Sequence, residues 1–265
     1  MRKVSLWAVM ILLFSMLLAA CGGGSEDGDG ANGEYDLKED GKFTYASSGE
    51  FKPFSSTDAN GEMTGFDIEV AEAIAKELGL EPNPQKFKFA SIVEGVKTGR
   101  FDAAVASHTI NEERAEHVDF SIPYYYSGPQ IFTRSDSDIE TKDDLKDKEI
   151  AVSKGSTYAK SAEEMTDNIK IYDSDVTALE ALSEGKHDAV ITDFITGKEA
   201  IGNGFNIEGK ELLGRSEQAI AVAKDNDKLL KDINAALEKL REDGTLKKLS
   251  EKYFGDDITS DPEGK

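Results

Sequence analysis

Gly99-Arg100-Phe101-Asp102-Ala103-Ala104-Val105-Ala106-Ser107-His108-Thr109 is the stretch that decides the fold, because its pattern returns as Gly185-Lys186-His187-Asp188-Ala189-Val190-Ile191-Thr192-Asp193. Each copy starts at a glycine turn, passes a charged residue and enters a short apolar run. Such a run, bounded by turn signals, fits a strand buried on both faces. An amphipathic helical pattern precedes each copy, Ile92 to Thr98 in one case and Val176 to Ser183 in the other. Two helix–turn–strand units of like build predict two lobes of similar construction. In open α/β sheets, ligands bind beyond the carboxyl ends of the strands. The strands expected at Ala103–Ala106 and Ala189–Ile191 therefore deliver Ser107, His108 and Thr109, and Thr192 and Asp193, to such an edge.

Outward from these units the same rhythm continues. Phe43 to Ser47 reads as a strand. Asp67 is placed to cap a helix whose Ile68, Ala71, Ile74, Ala75 and Leu78 share one face and which stops at Gly79. Gln85 to Phe89 and Ile150 to Val152 read as strands. Helices are expected after Thr157, from Lys228 to Glu242, and around Leu246 to Tyr253. The alternation predicts an α/β fold of two lobes, each a mainly parallel sheet flanked by helices.

The amino terminus has a different character. Arg2 and Lys3 precede an apolar run from Leu6 to Ala20, which is short for a membrane span of roughly 20 residues. A basic start, an apolar core and a small-residue exit form a secretory signal over residues 1–20. Leu18-Ala19-Ala20-Cys21 matches the bacterial lipobox, in which the cysteine thiol is lipidated; the plainer alternative is an ordinary signal with a chance cysteine. Cys21 is the single cysteine of the chain, and an unpaired cysteine in a secreted protein calls for a reason. Residues 21–34 are rich in glycine and acid with no large apolar side chain, so they read as a lipidated flexible tether.

Without the first 20 residues, 245 remain, enough for two modest domains. Setting aside Arg2 and Lys3, the remaining 29 basic residues face 52 acidic ones. So acidic a chain lacks the basic surface that nucleic acid requires. The excess acid is either a solvated surface or an adaptation to a saline or alkaline exterior, where salt screens the repulsion.

Several constellations carry chemistry. In Ser107-His108-Thr109-Ile110-Asn111-Glu112-Glu113-Arg114, hydroxyls follow a strand, Asn111 can cap a short helix and Arg114 lies one turn in. An arginine fork pairs with a carboxylate through two parallel hydrogen bonds; alternatively Arg114 is a surface residue beside Glu112 and Glu113. Val152-Ser153-Lys154-Gly155-Ser156-Thr157 is a small-residue loop opening a helix, able to present backbone N–H groups to an anion or to serve as an ordinary βα turn. Asp193 can receive an ammonium group or cap the helix from Phe194. Phe51 and Phe89, near strand ends, can sandwich a ligand or belong to the core. His108, His117 and His187 have no metal-ligand spacing. With no G-x-S-x-G and no dinucleotide turn, no metal, cofactor or catalytic set is expected.

These residues resemble the polar amino-acid solute-binding proteins of bacterial ABC importers, the family 3 type with glutamine-, histidine- and cystine-binding members. Six ordered blocks carry the likeness: FKPF at 51–54, GFDIEVAEAIAKELG at 65–79, RFDAAVASHTINEERAEHVDFSIPYYYSG at 100–128, DLKDKEIAVSKGST at 144–157, GKHDAVITD at 185–193 and LREDGTLKKLSEKYFG at 240–255. The resemblance implies two lobes joined by two hinge strands near Tyr125–Gln130 and Glu217–Ile220. Lobe 1 would comprise residues 35–126 and 219–265, and lobe 2 residues 127–218. It implies that Arg114 clamps a ligand carboxylate with Ser107 and Thr109, and that Asp193 takes the α-ammonium. Ser48, Ser153, Ser156 and Thr157 would line the site, with Phe51 and Phe89 against the ligand side chain. It further implies a monomer on the extracytoplasmic face of the membrane, working with an ABC permease and its ATPase subunits. Two departures bear on specificity. Ser48 stands where many glutamine and histidine binders have an acid, and Ser153 where glutamine binders have lysine, which leaves cystine and the zwitterion ectoine as candidates beside other amino acids. The alternatives are a sensor uncoupled from transport, and an enzyme resembling cyclohexadienyl dehydratase, for which Glu50 is the nearest acid.

Overall fold

The computed structural model describes residues 35–262; the expected signal, Cys21 and the tether lie outside them. From the amino end, β1 (Lys42–Ser47) leads into a small ribbon of β2 (Glu50–Phe51), β3 (Ser55–Thr57) and β4 (Met63–Thr64). Next come α1 (Phe66–Glu77), β5 (Glu81–Lys86), α2 (Phe89–Lys97), β6 (Ala103–Thr109), the single turn α3 (Glu112–Ala115), β7 (Val118–Phe120) and β8 (Tyr125–Ser127). There follow β9 (Pro129–Arg134), β10 (Ile150–Ser153), α4 (Thr157–Glu163), β11 (Ile169–Tyr172), α5 (Asp175–Ser183), β12 (Ala189–Asp193), α6 (Phe194–Gly202) and β13 (Ile207–Leu212). The chain ends with β14 (Ser216–Ala223), α7 (Asp227–Glu242) and α8 (Thr245–Phe254).

Two sheets result, each the centre of one lobe. The first runs β5-β1-β6-β14-β7, with β8 also paired to β14; the second runs β11-β10-β12-β9-β13. Each has a parallel core of three strands, β5-β1-β6 and β11-β10-β12, edged by antiparallel strands. The parallel core explains the apolar runs: Ala103 to Ala106 and Ala189 to Ile191 are buried throughout, covered on both faces. The chain passes between the sheets twice, after β8 and before β14, where Ser127 pairs with Ser216. Although they come last, α7 and α8 pack Leu229, Ile233, Leu237, Leu240 and Leu246 into the cluster of Phe43, Tyr45, Phe66 and Ile68 beside the first sheet.

The structure corrects four sequence expectations. Asp67 does not cap α1. Gly65 does, because its Cα sits so close to the carbonyl of Phe54 that a Cβ would lie 2.3 Å from that oxygen. The strand expected at Gln85–Phe89 is β5 at Glu81–Lys86, and Phe89 opens α2 instead of ending a strand. Its partner β1 stops at Ser47, so the ladder runs out at Lys86 despite the alternating Gln85, Phe87 and Phe89. Pro82 and Pro84 are tolerated because β5 is an edge strand. β6 and β12 continue through Thr109 and Asp193, since the antiparallel neighbours β14 and β9 prolong their ladders. Residues placed past the strands are therefore the last residues of the strands.

Candidate functional site

The carboxyl ends of β1, β5 and β6 face those of β10, β11 and β12 across a cavity of about 630 Å³. All ten residues picked out from the sequence line it: Ser48, Phe51, Phe89, Ser107, Thr109 and Arg114 from the first lobe, and Ser153, Ser156, Thr157 and Asp193 from the second. Their convergence follows from topology, because parallel strands joined by helices all end on the same side.

Arg114 is positioned by α3, whose amino end is capped by Asn111 Oδ1 accepting from the Arg114 amide at 2.8 Å. Its guanidinium donates to Thr109 O at 2.8 Å and, across the cleft, to Gly155 O at 3.0 Å. The same group lies 5.7 Å from the ring centroid of Phe89, within cation–π reach. Burial lowers its pKa to about 10, against a raising influence from Tyr158, so it stays charged at neutral pH. Phe89 in turn stacks on His108, with centroids 4.6 Å apart. His108 is buried and held well below the ordinary histidine range, by desolvation first and by Arg114 second.

Asp193 is fully buried at the end of β12. One oxygen accepts from the Ile195 amide at 2.9 Å, capping α6, and the other from Tyr158 Oη at 3.1 Å. Capping and cavity lining are therefore both roles of this one carboxylate. Its pKa is pushed up to about 6 by burial, opposed by the nearby Ser127 hydroxyl and by the hydrogen bonds from the Ile195 amide and Tyr158. Ser156 caps α4, accepting from the Ala159 amide at 3.1 Å and donating to Ser153 O at 2.8 Å. Ser48 Oγ lies 3.1 Å from Ser55 Oγ. Phe51 stacks on Phe54 at 5.1 Å, so it is both the edge of the core and a wall of the cavity.

The lobes touch at several points around the cavity. Thr109 and Thr157 hydroxyls are 3.3 Å apart, Lys88 pairs with Asp173 at 3.3 Å, and Glu113 pairs with Lys160. Gly155, at φ 76°, lies against Ala90, where a Cβ would come within 3.0 Å of the Ala90 Cα and Cβ. The left-handed backbone and this close approach both favour glycine.

Sequence reading missed Tyr158 and Asp175. Asp175 lies in the first turn of α5, accepts from Thr192 Oγ1 at 2.6 Å, and has its pKa raised by burial. The rule that ligands gather at strand carboxyl ends, applied to β11 as well as to β6 and β12, would have pointed to Asp173 through Asp175. No group of three or more His, Cys, Asp or Glu among the described residues is placed to hold a metal ion. The arrangement is a cavity with a fixed cation on one lobe and buried carboxylates on the other, suited to a small zwitterion.

Residues 43–256 match the model for bacterial extracellular solute-binding proteins, family 3. The chain is 35% identical over 269 residues to the probable amino-acid-binding protein YxeM of Bacillus subtilis (strain 168), covering 97% of this chain and 98% of the relative. It is 33% identical to the L-cystine-binding protein TcyJ of Escherichia coli (strain K12), covering 84% and 86%. Among solved structures, an ancestral arginine-binding protein bound to arginine superposes with a TM-score of 0.78 at 34% identity, over 81% of this chain and 99% of that one.

Proposed function

The chain belongs to the bacterial extracellular solute-binding proteins of family 3, and from that premise we propose that it captures a free L-α-amino acid, or a close zwitterionic relative, and delivers it to the permease of an ABC importer. The observation that carries this reading is the pair Arg114 and Asp193, opposite charges that line one cavity from two lobes. Arg114, with the Thr109 hydroxyl, takes the α-carboxylate. Ser107, whose hydroxyl and amide donate to Asp67 and Tyr124, shapes the wall beside it, and Asp193 takes the α-ammonium. Phe51 and Phe89 pack on the side chain, and Ser48, Ser153, Ser156 and Thr157 complete the wall.

The mechanism is lobe closure. Lobe 1 (35–126 and 219–265) and lobe 2 (127–218) swing about the two crossings, and a ligand touching both favours the closed state. Closure removes water from the charged pairs and strengthens them. Hydrogen bonds to charged groups contribute roughly 1.5–3 kcal/mol each, so three or four support micromolar binding, about −8 kcal/mol. Relatives named for cystine, arginine and glutamine set the first panel. Titration calorimetry of residues 22–265 against the common amino acids, cystine and ectoine should find a one-to-one ligand at micromolar affinity or tighter. Flat titrations across the panel would overturn the reading.

The protein works as a binder, not an enzyme. Glu50, the acid that the likeness to cyclohexadienyl dehydratase points to, is half-exposed and engaged by Lys86 at 2.9 Å, not held as a lone acid over a substrate. It acts as a monomer tethered to the outer face of the membrane through lipidated Cys21. Cys21→Ser should therefore release the protein into the soluble fraction with ligand affinity unchanged, read by fractionation and calorimetry. A serine variant that still sediments with membranes would refute the anchor.

A further inference from the structure

Asp67 is wholly buried yet does not line the cavity. A buried carboxylate is costly unless hydrogen-bonded, and both side-chain donors to Asp67 lead to the cavity edge. Ser107 Oγ donates to one oxygen at 2.8 Å and Tyr124 Oη to the other at 2.7 Å. The ring closes when the Ser107 amide donates to Tyr124 Oη at 3.0 Å. Three segments far apart in sequence thus meet on one residue. That residue has an uncommon backbone: Ser107 stands at φ 58°, a left-handed conformation shared among described non-glycine residues only by Asp147. The ladder between β6 and β14 is irregular at the same place, shifting register between the pairs His108–Ala219 and Ala104–Ala221. Left-handed serine is strained and persists only where its surroundings over-determine it; Asp67 and Tyr124 supply the two anchors.

We propose that Asp67 and Tyr124 are positioning residues for ligand capture, holding Ser107 left-handed so that the end of β6 turns Thr109 and Arg114 toward the cavity. This rests on the reading of the cavity as an amino-acid site. If it holds, the need for Asp67 should vanish once residue 107 reaches positive φ without strain, as glycine does. Asp67→Asn should weaken ligand binding about tenfold or more in the wild-type background, in keeping with the strain of one such residue. In the Ser107→Gly background the same substitution should change affinity by less than about twofold. Equal losses in both backgrounds would overturn the proposal, since a loss through general stability is not rescued at position 107. Tyr124→Phe keeps the ring stacked on Phe66 and removes only the hydroxyl, so it serves if Asp67→Asn folds poorly; it too should weaken binding, with rescue by Ser107→Gly. The ligand-free protein gives a second readout. Backbone carbon shifts and amide exchange over residues 107–111 should change in Asp67→Asn and Tyr124→Phe. Unchanged shifts and exchange there would refute the positioning role even if no amino acid binds, whereas a wild-type protein that binds nothing refutes the proposed function alone.

Discussion

Arg114→Ala should lower amino-acid affinity by at least about 100-fold while leaving the melting curve close to that of the wild type. The size follows from what is lost. Truncating one partner of a desolvated, hydrogen-bonded charge pair costs about 2–5 kcal/mol, much of it the penalty of leaving the other charge unpaired. In the proposed complex that stranded charge is the ligand carboxylate. The fold should survive because α3 contributes no buried residue to the core, and the guanidinium's hydrogen bonds go to the carbonyls of Thr109 and Gly155 at the cleft, beside the face of Phe89. Arg114→Lys should fall between, retaining the charge but not the planar fork. Calorimetry of the three proteins against one ligand, with thermal melts as control, decides the matter. Normal binding by Arg114→Ala would return Arg114 to the role of a surface residue bridging two loops.

The two helix–turn–strand units were legible because burial on both faces demands an unbroken apolar run, and few other structures leave that trace. From them, strand topology alone carries Ser107, Thr109 and Asp193 to a common edge. Phe89 was legible as a wall of the site but not as a helix start, because the end of a strand depends on where its partner ends, here Ser47. Asp67 was misread for a related reason. An acid near a helix start resembles a cap, and nothing local reveals that Gly65 is pressed against Phe54 or that Asp67 faces Ser107 and Tyr124. Asp175 and Tyr158 escaped because their meaning lies in neighbours brought by other strands, Thr192 and Asp193. Contacts made by neighbouring residues show in the sequence; contacts made across the sheet do not.

Asp193→Asn should weaken binding at least tenfold and should also remove a pH dependence that the wild-type protein displays. In the free protein, burial lifts the Asp193 pKa to about 6, while the proposed complex needs the carboxylate charged to hold an ammonium. Binding below pH 6 must then expel a proton, and affinity should fall toward tenfold per pH unit. Between pH 7.5 and pH 5 the loss should be about tenfold. The sign for folding stability is opposite. A carboxyl whose folded pKa exceeds its unfolded value of about 3.9 favours the folded state fully below that value and loses the contribution as pH rises through 6. Asp67, raised to about 7 by burial, acts in the same sense. The groups facing Asp193 are Tyr158, Tyr125, Asp175 and Asp67. The two tyrosines, both raised by burial, do not titrate in this window, and burial, with Arg114, holds His108 well below the ordinary histidine range. Asp67 and Asp175 persist in the variant, so the difference between the two profiles reports Asp193 together with its coupling to these acids. Calorimetry at pH 5.5 in two buffers of different ionisation enthalpy should detect proton release from the wild type and little from Asp193→Asn. An analogue lacking the α-amino group should bind both proteins about equally weakly. If the variant keeps wild-type affinity, or the wild type binds equally at pH 5 and pH 7.5, Asp193 caps α6 and does nothing for the ammonium.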